Sequence, residues 1–562
     1  MLIASKLSNF TISELKKLSK NIRKKIINSV SKNGGHLSSN LGVVELTIAL
    51  YKNFNFLNDK LLFDIGHQSY THKILTGRDI NKIRKKNGIS GFIKQKESKY
   101  DVFEAGHSST SLSAAIAFAI DREKKHKNYE IIVVIGDASL LNGIAFEALN
   151  YIVCSKYKII IVVNNNGMSI NKTIGDINYL LNNQHFNLIK NIDGHNFNSL
   201  NKALKLAKKS KKAIILEVKT IKGKGLKFAE NDSTGIWHEP GKFNAKSGLF
   251  NEPNYNNTWT TIYSNLIEQK LHRNKKFLLI CPGTLKTISL SRETINKFSN
   301  QIFDVGIAEE LAVILAAQLS KLGYEVCVSI YSTFLQRSFD QIIHDVCRIN
   351  ANITFLIERS GFSGENGETH HGIFDTPFLM SIPNFCVSMA SDITDAKMLL
   401  NYSKTQQMTN FIRIPKEKIT IGKNITKYNL KDFYILNKNF ENNYNLAIVS
   451  VGPLTNTLFE EIKDFNICIY NPIILTPIKP ELIQKILNYK NIIIYTPYET
   501  NNGYAKQLTY ELALKNFTGK IYIKAISKYF IECMSIQEQL EENHLLPTQI
   551  KTFIENLKYE NN

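Results

Sequence analysis

Short apolar runs rich in Ile and Val alternate with longer stretches in which apolar residues recur every three or four positions, and the alternation continues along the whole chain. The short runs suit strands buried in parallel sheets, and the longer patterns suit the helices that cover them. The predicted strands are Glu130 to Ile135, Lys158 to Val163, Ala213 to Val218, Val326 to Ile330, Ile353 to Ile357, Leu446 to Val451, Ile467 to Tyr470 and Asn491 to Tyr495. They fall into three groups, and the fold class they imply is α/β. Two polar stretches, Glu230 to Asn257 and Ile421 to Asn443, separate the groups and read as linkers. No repeat of 20 to 50 residues and no coiled-coil heptad pattern is present.

Length agrees with several domains, since 562 residues exceed what one ordinary core organises. A composition of 43% hydrophobic and 21% charged residues excludes a largely disordered or fibrous chain. The net charge of +21 permits attraction to phosphates, nucleic acid or anionic membranes, but the lysines are scattered through a chain rich in Asn, Ile and Lys. Clusters such as Arg23-Lys24-Lys25 and Arg84-Lys85-Lys86 lie in helix-like stretches and read as solvated faces. The expectation is therefore no nucleic-acid partner and no membrane partner. The seven cysteines are dispersed and form no Cys-x-x-Cys pair, which argues against a disulfide frame or zinc site and for a reducing, cytoplasmic setting. No apolar run reaches membrane-spanning length, and Met1-Leu2-Ile3-Ala4 is too short for a signal-peptide core.

The most informative stretch is Ile131-Ile132-Val133-Val134-Ile135-Gly136-Asp137-Ala138, a buried strand ending in a turn with an acid, followed by a predicted helix from Ile144 to Tyr151. A second strand ends in Asn164-Asn165-Asn166-Gly167-Met168, placing Asn166 29 residues after Asp137. Adjacent parallel strands would deliver both side chains to one sheet edge, where ligands of doubly wound sheets bind. An Asp and an Asn oxygen, completed by a backbone carbonyl and diphosphate oxygens, suit octahedral Mg²⁺.

This stretch resembles the thiamine-diphosphate motif Gly-Asp-Gly followed about 30 residues later by Asn-Asn. Further segments, in order, resemble the 1-deoxy-D-xylulose 5-phosphate synthase family of the transketolase superfamily. They are Asn33-Gly34-Gly35-His36-Leu37-Ser38-Ser39-Asn40-Leu41-Gly42, Asp64-Ile65-Gly66-His67-Gln68-Ser69-Tyr70-Thr71-His72-Lys73, Gly106-His107-Ser108-Ser109-Thr110-Ser111, Asp304-Val305-Gly306-Ile307-Ala308-Glu309 and Tyr331-Ser332-Thr333-Phe334-Leu335-Gln336-Arg337. The resemblance covers about residues 33 to 375 and continues faintly to the end.

The resemblance implies three α/β domains, each on a mainly parallel sheet flanked by helices: residues 1–250 binding diphosphate and Mg²⁺, 251–425 binding the pyrimidine, and 426–562 with a mainly structural part. It implies thiamine diphosphate and Mg²⁺ as cofactors. His67, Gly106, His107 and Ser108 would hold the diphosphate, with Ala138, Ser139 and Leu226 beside the cofactor; Asp137, Asn166 and the Met168 carbonyl would hold Mg²⁺. Phe334 would stack on the aminopyrimidine, and Glu309 would meet its ring nitrogen, so that the cofactor can supply a carbon nucleophile. His36, His238 and His370 would line the reacting centre as proton carriers. Ser39, Tyr331, Arg337, Arg359 and Asn366 would bind substrate, the guanidinium groups pairing with phosphate oxygens.

The implied activity is a carboligase that decarboxylates pyruvate and adds the acetyl unit to D-glyceraldehyde 3-phosphate, giving 1-deoxy-D-xylulose 5-phosphate, a precursor for isoprenoids, thiamine and pyridoxal. A homodimer is implied as well. Several positions depart from the family pattern. Asn366 stands for an Asp, Ile473 for a phosphate-binding Arg, and Arg413-Ile414-Pro415-Lys416 for an Arg-Tyr-Pro-Arg-like run; Ala138 replaces a Gly, Leu226 a Tyr and Leu311 a His. The first three bear on the acceptor and leave open a paralogue that makes a different 1-deoxyketose. A non-catalytic, basic nucleic-acid binder is the rival from another class.

Overall fold

The computed structural model describes residues 3–169, 172–182, 187–232, 235–250, 258–419 and 432–560. By internal contact the chain divides into two compact units, residues 1–253 with 306–308, and residues 254–305 with 309–562. Together they hold three sheets.

The first unit is built on five parallel strands in the order β1-β2-β3-β5-β4: β1 (Lys60–Asp64), β2 (Ile131–Gly136), β3 (Ile160–Asn165), β4 (Asn187–Asp193) and β5 (Ile214–Lys219). Side chains alternate between its faces. Ile132, Val134, Ile160, Val162, Leu216 and Val218 enter one core, while Ile131, Val133, Ile135, Ile161, Val163 and Ile215 enter another. Burial on both faces is why the central strands read as unbroken apolar runs. The helix predicted at Ile144 to Tyr151 spans Gly143–Cys154, with Asn142 capping it through a bond from the Ile144 amide.

The second unit carries two sheets. The larger has the order β15-β10-β11-β9-β8-β6-β7, from β6 (Phe277–Cys281), β7 (Ile302–Asp304), β8 (Glu325–Tyr331), β9 (Ile353–Ser360), β10 (Cys386–Met389), β11 (Asn410–Pro415) and β15 (Ile474–Thr476). All its pairings are parallel except β10 with β15. The smaller sheet has the order β12-β14-β13-β16-β17, from β12 (Phe433–Leu436), β13 (Leu446–Ser450), β14 (Cys468–Pro472), β16 (Asn491–Thr500) and β17 (Lys520–Ile526), antiparallel only between β12 and β14. One core joins the two sheets, packing Val328, Ile330, Phe355 and Ile357 in a single cluster with Ala447, Tyr470, Ile492 and Ile494. The fold is therefore α/β with three mainly parallel sheets, as the hydrophobic pattern implies.

Both linker readings fail where residues are described. Trp237 and Phe243 are buried, with ring centroids 4.9 Å apart, and Trp237 meets Phe250 at 5.2 Å, so the stretch before residue 250 is packed against the first core. The second stretch contains β12, which pairs with β14 as an edge strand. Residues 251–257 and 420–431 lie outside the described residues. Among the described residues no helix is long and apolar enough to cross a membrane.

Candidate active site

In the first unit, the candidate residues gather where parallel strands end. Asp64, the last residue of β1, is fully buried and accepts hydrogen bonds from the Ser109 and Ser111 amides at 2.8 and 3.1 Å. Those bonds fix the turn Gly106-His107-Ser108 in front of helix Ser111–Lys124, and Ser109 Oγ donates to the Ser139 carbonyl at 2.9 Å. Asp137 follows β2 and opens a short helical turn, Asp137–Leu140, in which Ala138 and the buried Ser139 lie; Ala is accommodated there in place of Gly because a helical turn keeps φ negative. Asp137 accepts from the Ala138 amide at 2.8 Å and from the Gly167 amide at 2.6 Å. Asn166, after β3, accepts from the Met168 amide at 3.0 Å. The loop that carries Asn166 and Met168 thus meets Asp137, as the strand spacing predicts for Asp137 and Asn166. Burial pushes the Asp137 carboxyl up, against the pull of these amides and of Lys222.

A second group is histidine. The segment after residue 235 runs beside residues 35–38: the Gly35, Leu37 and Ser38 amides donate to the carbonyls of Pro240, His238 and Trp237 at 3.1 to 3.2 Å. This carries His238 to His36, with ring centroids 5.4 Å apart; His67 lies 5.2 Å from His36 and 5.4 Å from His238. Asn40 organises the cluster, its amide donating to the carbonyls of His36 and His67 at 2.8 and 2.6 Å while its oxygen accepts from the Tyr70 amide. Gly66, next to His67, packs against the Ile93 backbone, where a Cβ would sit 2.7 Å from the Ile93 nitrogen. Burial foremost, then neighbouring cationic charge, holds His67 and His238 well below the usual histidine range, so both are neutral near pH 7. Their Nδ1 atoms are buried and make no hydrogen bond among the described residues. Ser39 is buried on helix Ser38–Gly42, and Leu226 belongs to the main core.

These features fit the implied cofactor. Among the described residues no cluster of three or more His, Cys, Asp or Glu could hold a metal. One carboxylate, one amide oxygen and one carbonyl leave most of an octahedron to other oxygens, as Mg²⁺ bound with a phosphate requires. Buried, unbonded imidazole nitrogens beside this set supply proton donors or acceptors for a polar ligand.

In the second unit, Glu309 opens helix Glu309–Lys321 and is 3% exposed. Its Oε2 lies 3.8 Å from Arg337 Nη1 and accepts no hydrogen bond among the described residues. Burial pushes the carboxyl up to about 7 despite Arg337. At the end of β8, Tyr331 and Phe334 stack with centroids 5.2 Å apart, and Phe334 meets His370 edge-on at 5.9 Å. Arg359, at the end of β9 with φ 58°, lays its guanidinium 4.1 Å from the Tyr331 ring centroid. The structure thus connects Tyr331, Phe334, Arg359 and His370, and separately Glu309 with Arg337.

The loop from Arg359 to His371 is cinched by reciprocal bonds between Gly361 and Gly372, at 2.7 and 2.8 Å. Only Gly fits at 372, where a Cβ would lie 2.2 Å from the Arg359 carbonyl oxygen. The C-terminal segment holds the loop from outside: Gln539 exchanges bonds with the Gly364 backbone at 3.0 and 3.1 Å, and His371 donates through Nε2 to the Ile531 carbonyl at 2.9 Å. Asn366 is buried in the turn Gly364–Asn366. Ile473, where the family pattern expects an Arg, is fully buried in a hydrophobic core, so that position is packing. Arg413 is also fully buried; it forks onto Asp375 at 2.9 Å through two nitrogens and donates to the Tyr498 carbonyl at 2.7 Å. Lys416, beside it in sequence, donates to the Ser363 carbonyl at 3.1 Å. Leu311 is half exposed on its helix.

Sequence reasoning quoted Asp64 and Asn40 inside motifs without giving them a role, and it passed over Glu358, Gln539 and Lys222. Glu358 is buried beside Tyr331 in the β8–β9 register, accepts from Ser329 Oγ at 2.6 Å and is pushed by burial up to about 7. An acid next to Arg359 at a strand end was the available signal.

Two carboxyl edges with buried acids, amide-lined turns and paired aromatics define a cofactor-dependent transferase of the transketolase type, with thiamine diphosphate and Mg²⁺ as its cofactors. The family model for 1-deoxy-D-xylulose-5-phosphate synthase matches residues 3–190, and that for the transketolase pyrimidine binding domain matches residues 256–420. The 1-deoxy-D-xylulose-5-phosphate synthase of Clostridium tetani is 37% identical, covering 87% of each chain. That of Geobacillus sp. strain WCH70 is 34% identical over 97% of this chain and 96% of its own. The chain belongs to the 1-deoxy-D-xylulose-5-phosphate synthase family. Among solved structures, transketolase from Campylobacter jejuni aligns at 15% identity and a TM-score of 0.46 over 97% of this chain and 100% of that one.

Proposed function

We propose that the first unit's set holds the diphosphate and Mg²⁺ and the second unit's set the aminopyrimidine, for the joining of pyruvate to D-glyceraldehyde 3-phosphate with loss of CO₂. The carbon–carboxylate bond of pyruvate breaks, a carbon–carbon bond forms to the aldehyde, and the new alkoxide takes up one proton. Thiamine diphosphate supplies the carbon nucleophile and electron sink for this exchange. The observation that carries the reading is Glu309, a buried acid with an unbonded oxygen and a carboxyl raised to about 7. At that value it keeps a proton to donate to a ring nitrogen near neutrality, which an ordinary glutamate at 4.5 does not.

His67, Gly106, His107 and Ser108 bind phosphate oxygens, and Asp137, Asn166 and the Met168 carbonyl bind Mg²⁺. Ala138, Ser139 and Leu226 bound the cofactor and Phe334 stacks on its ring. Neutral His67 and His238 could not be cationic anchors, and His238, held neutral, is suited to taking and returning a proton at the aldehyde oxygen together with His370 and His36. Ser39, Tyr331, Arg337, Arg359 and Asn366 hold the substrates, the arginines on phosphate. The chain acts in the cytoplasm as a homodimer. Measuring CO₂ release from pyruvate with and without D-glyceraldehyde 3-phosphate tests the reading: aldehyde-dependent release with a 1-deoxyketose product is expected, and absence of turnover with every aldehyde overturns it.

A further inference from the structure

Two adjacent histidines leave the loop 359–371 towards different neighbours. His370 meets Phe334 edge-on, and its Nδ1 lies 2.8 Å from Thr369 Oγ1. His371 instead faces the segment after β17, where it is 2% exposed and meets Phe362 edge-on at 5.1 Å. Phe362, Ile373, Ile531 and Met534 share one core there.

The hydrogen bonds of the His371 ring reach both sides. The Ser363 amide donates to Nδ1 at 3.2 Å, and Nε2 donates to the Ile531 carbonyl at 2.9 Å. An amide N–H can only donate and a carbonyl can only accept, so both partners require the same neutral tautomer, protonated at Nε2. Burial, against the pull of the Ile531 carbonyl, holds the imidazole down to about 4, which keeps that neutral form near pH 7. Ser363 passes the restraint on: its Oγ lies 3.1 Å from the same nitrogen and 3.2 Å from the Gly367 carbonyl, across the turn Gly364–Asn366. The partner segment is itself braced. Ser535 caps helix Ile536–Glu542 in a reciprocal box with Glu538, and Gln539 on that helix donates to the Glu532 carbonyl at 3.2 Å. At Gly367 a Cβ would sit 2.9 Å from Cys533 Sγ, so the loop and this segment pack closely along the turn.

We propose that His371 is a positioning residue for the aldehyde acceptor: by tying Ser363 to Ile531 it fixes the backbone from which Asn366 and His370 extend. The inference rests on the proposed substrate role of this loop and adds to it the residue that sets the loop's place. Without the ring nitrogens the Ser363 amide and the Ile531 carbonyl lose their partner in a buried setting, and the loop must shift to satisfy them. A displacement of about 1 Å at reacting groups can cost on the order of a hundredfold in rate.

The test compares wild type with His371→Phe, which keeps a ring without polar atoms, and His371→Gln, whose amide keeps a donor and an acceptor. Steady-state rates are measured with pyruvate and D-glyceraldehyde 3-phosphate, thiamine diphosphate binding by calorimetry in Mg²⁺, and backbone deuterium exchange by mass spectrometry. His371→Phe is expected to lower kcat/KM for the aldehyde by about tenfold to a hundredfold, to leave thiamine diphosphate affinity within about twofold, and to speed exchange only in residues 360–372 and 531–534. His371→Gln should return to within about fivefold of wild type. An aldehyde kcat/KM within about twofold of wild type in His371→Phe overturns the proposal. So does an equal loss of cofactor affinity, or faster exchange throughout the second unit, either of which would make the role merely structural. A glutamine variant as impaired as the phenylalanine one overturns it too. Should His371→Phe fold poorly, His371→Asn decides: its shorter amide meets Ser363 but not Ile531, and it is expected to lose at least about fivefold in aldehyde kcat/KM, an unchanged value overturning the proposal. A wild type inert towards every aldehyde refutes the substrate reading, and the proposal with it; that failure shows in the wild type, whereas the others show only in the variants.

Discussion

The carboxyl edges of the first and second sheets are built alike and used differently. At the first, Asp64 and Asp137 are occupied by backbone amides and the histidines beside them are neutral, so the edge offers hydrogen-bond donors and a metal's partial ligand set. At the second, carboxyls and guanidiniums are set close together in the dry: Glu309 with Arg337, Glu358 beside Arg359. The first edge is organised to accept charge from a ligand; the second stores titratable charge of its own. On the proposed reading, the difference divides holding a cofactor from activating it.

The sharpest way to break this division is Glu309→Gln, which removes the titratable proton at the second edge. Activity should fall about 10² to 10⁴-fold, the usual worth of a positioned proton donor, while calorimetry should find thiamine diphosphate affinity changed far less. A comparable loss of affinity would erase the distinction. At the first edge, Asp64→Ala strands the Ser109 and Ser111 amides; urea unfolding should show a loss of about 3 kcal/mol or more, and the diphosphate should bind at least tenfold more weakly.

A third measurement concerns pH. Glu499 is 1% exposed and is raised by burial from 4.5 to about 7, while accepting a bond from the Tyr504 amide at 2.8 Å. A carboxyl raised on folding favours the native state fully below its unfolded value and loses that favour as pH climbs from about 4.5 to about 7. The loss is on the order of 3 kcal/mol. Glu358 acts in the same direction. Thermal melts should therefore fall across this window, and Glu499→Gln should flatten the decline; an unchanged slope would show that Glu499 stays ionised. The smallest effect is expected for Gln539→Ala, which frees the Gly364 turn: about 1 to 2 kcal/mol in stability, with a raised KM for the aldehyde and unchanged cofactor affinity.

Much of this was legible in the residues. Strands β2, β3, β5, β8, β9, β13, β14 and β16 announce themselves because burial on both faces demands continuous apolar sequence. Four of the strands that escaped notice have reasons to look otherwise. β4 and β17 are edges with exposed polar residues, β12 pairs along one side inside an Asn-rich stretch, and β11 carries an arginine that is buried only because Asp375 meets it. The placing of Asp137 and Asn166 at one sheet edge followed from spacing, and their role as a pair only from the family resemblance. Reading residues 230–250 as a linker failed because Trp237, Phe243 and Phe250 are too widely spaced to form a run, yet pack together once the segment lies against residues 35–38.

Strand β15 bears on how such a chain could be rebuilt. It is supplied from beyond residue 470 yet borders a sheet whose other strands all lie before residue 416. Dividing the gene between these regions would leave the Val387 and Ser388 backbone as an open margin ready to recruit the margin of another molecule. The last quarter is therefore no detachable appendage: modular shuffling or split expression at that boundary would yield sticky fragments, and it would have to carry residues 474–476 along with the earlier piece.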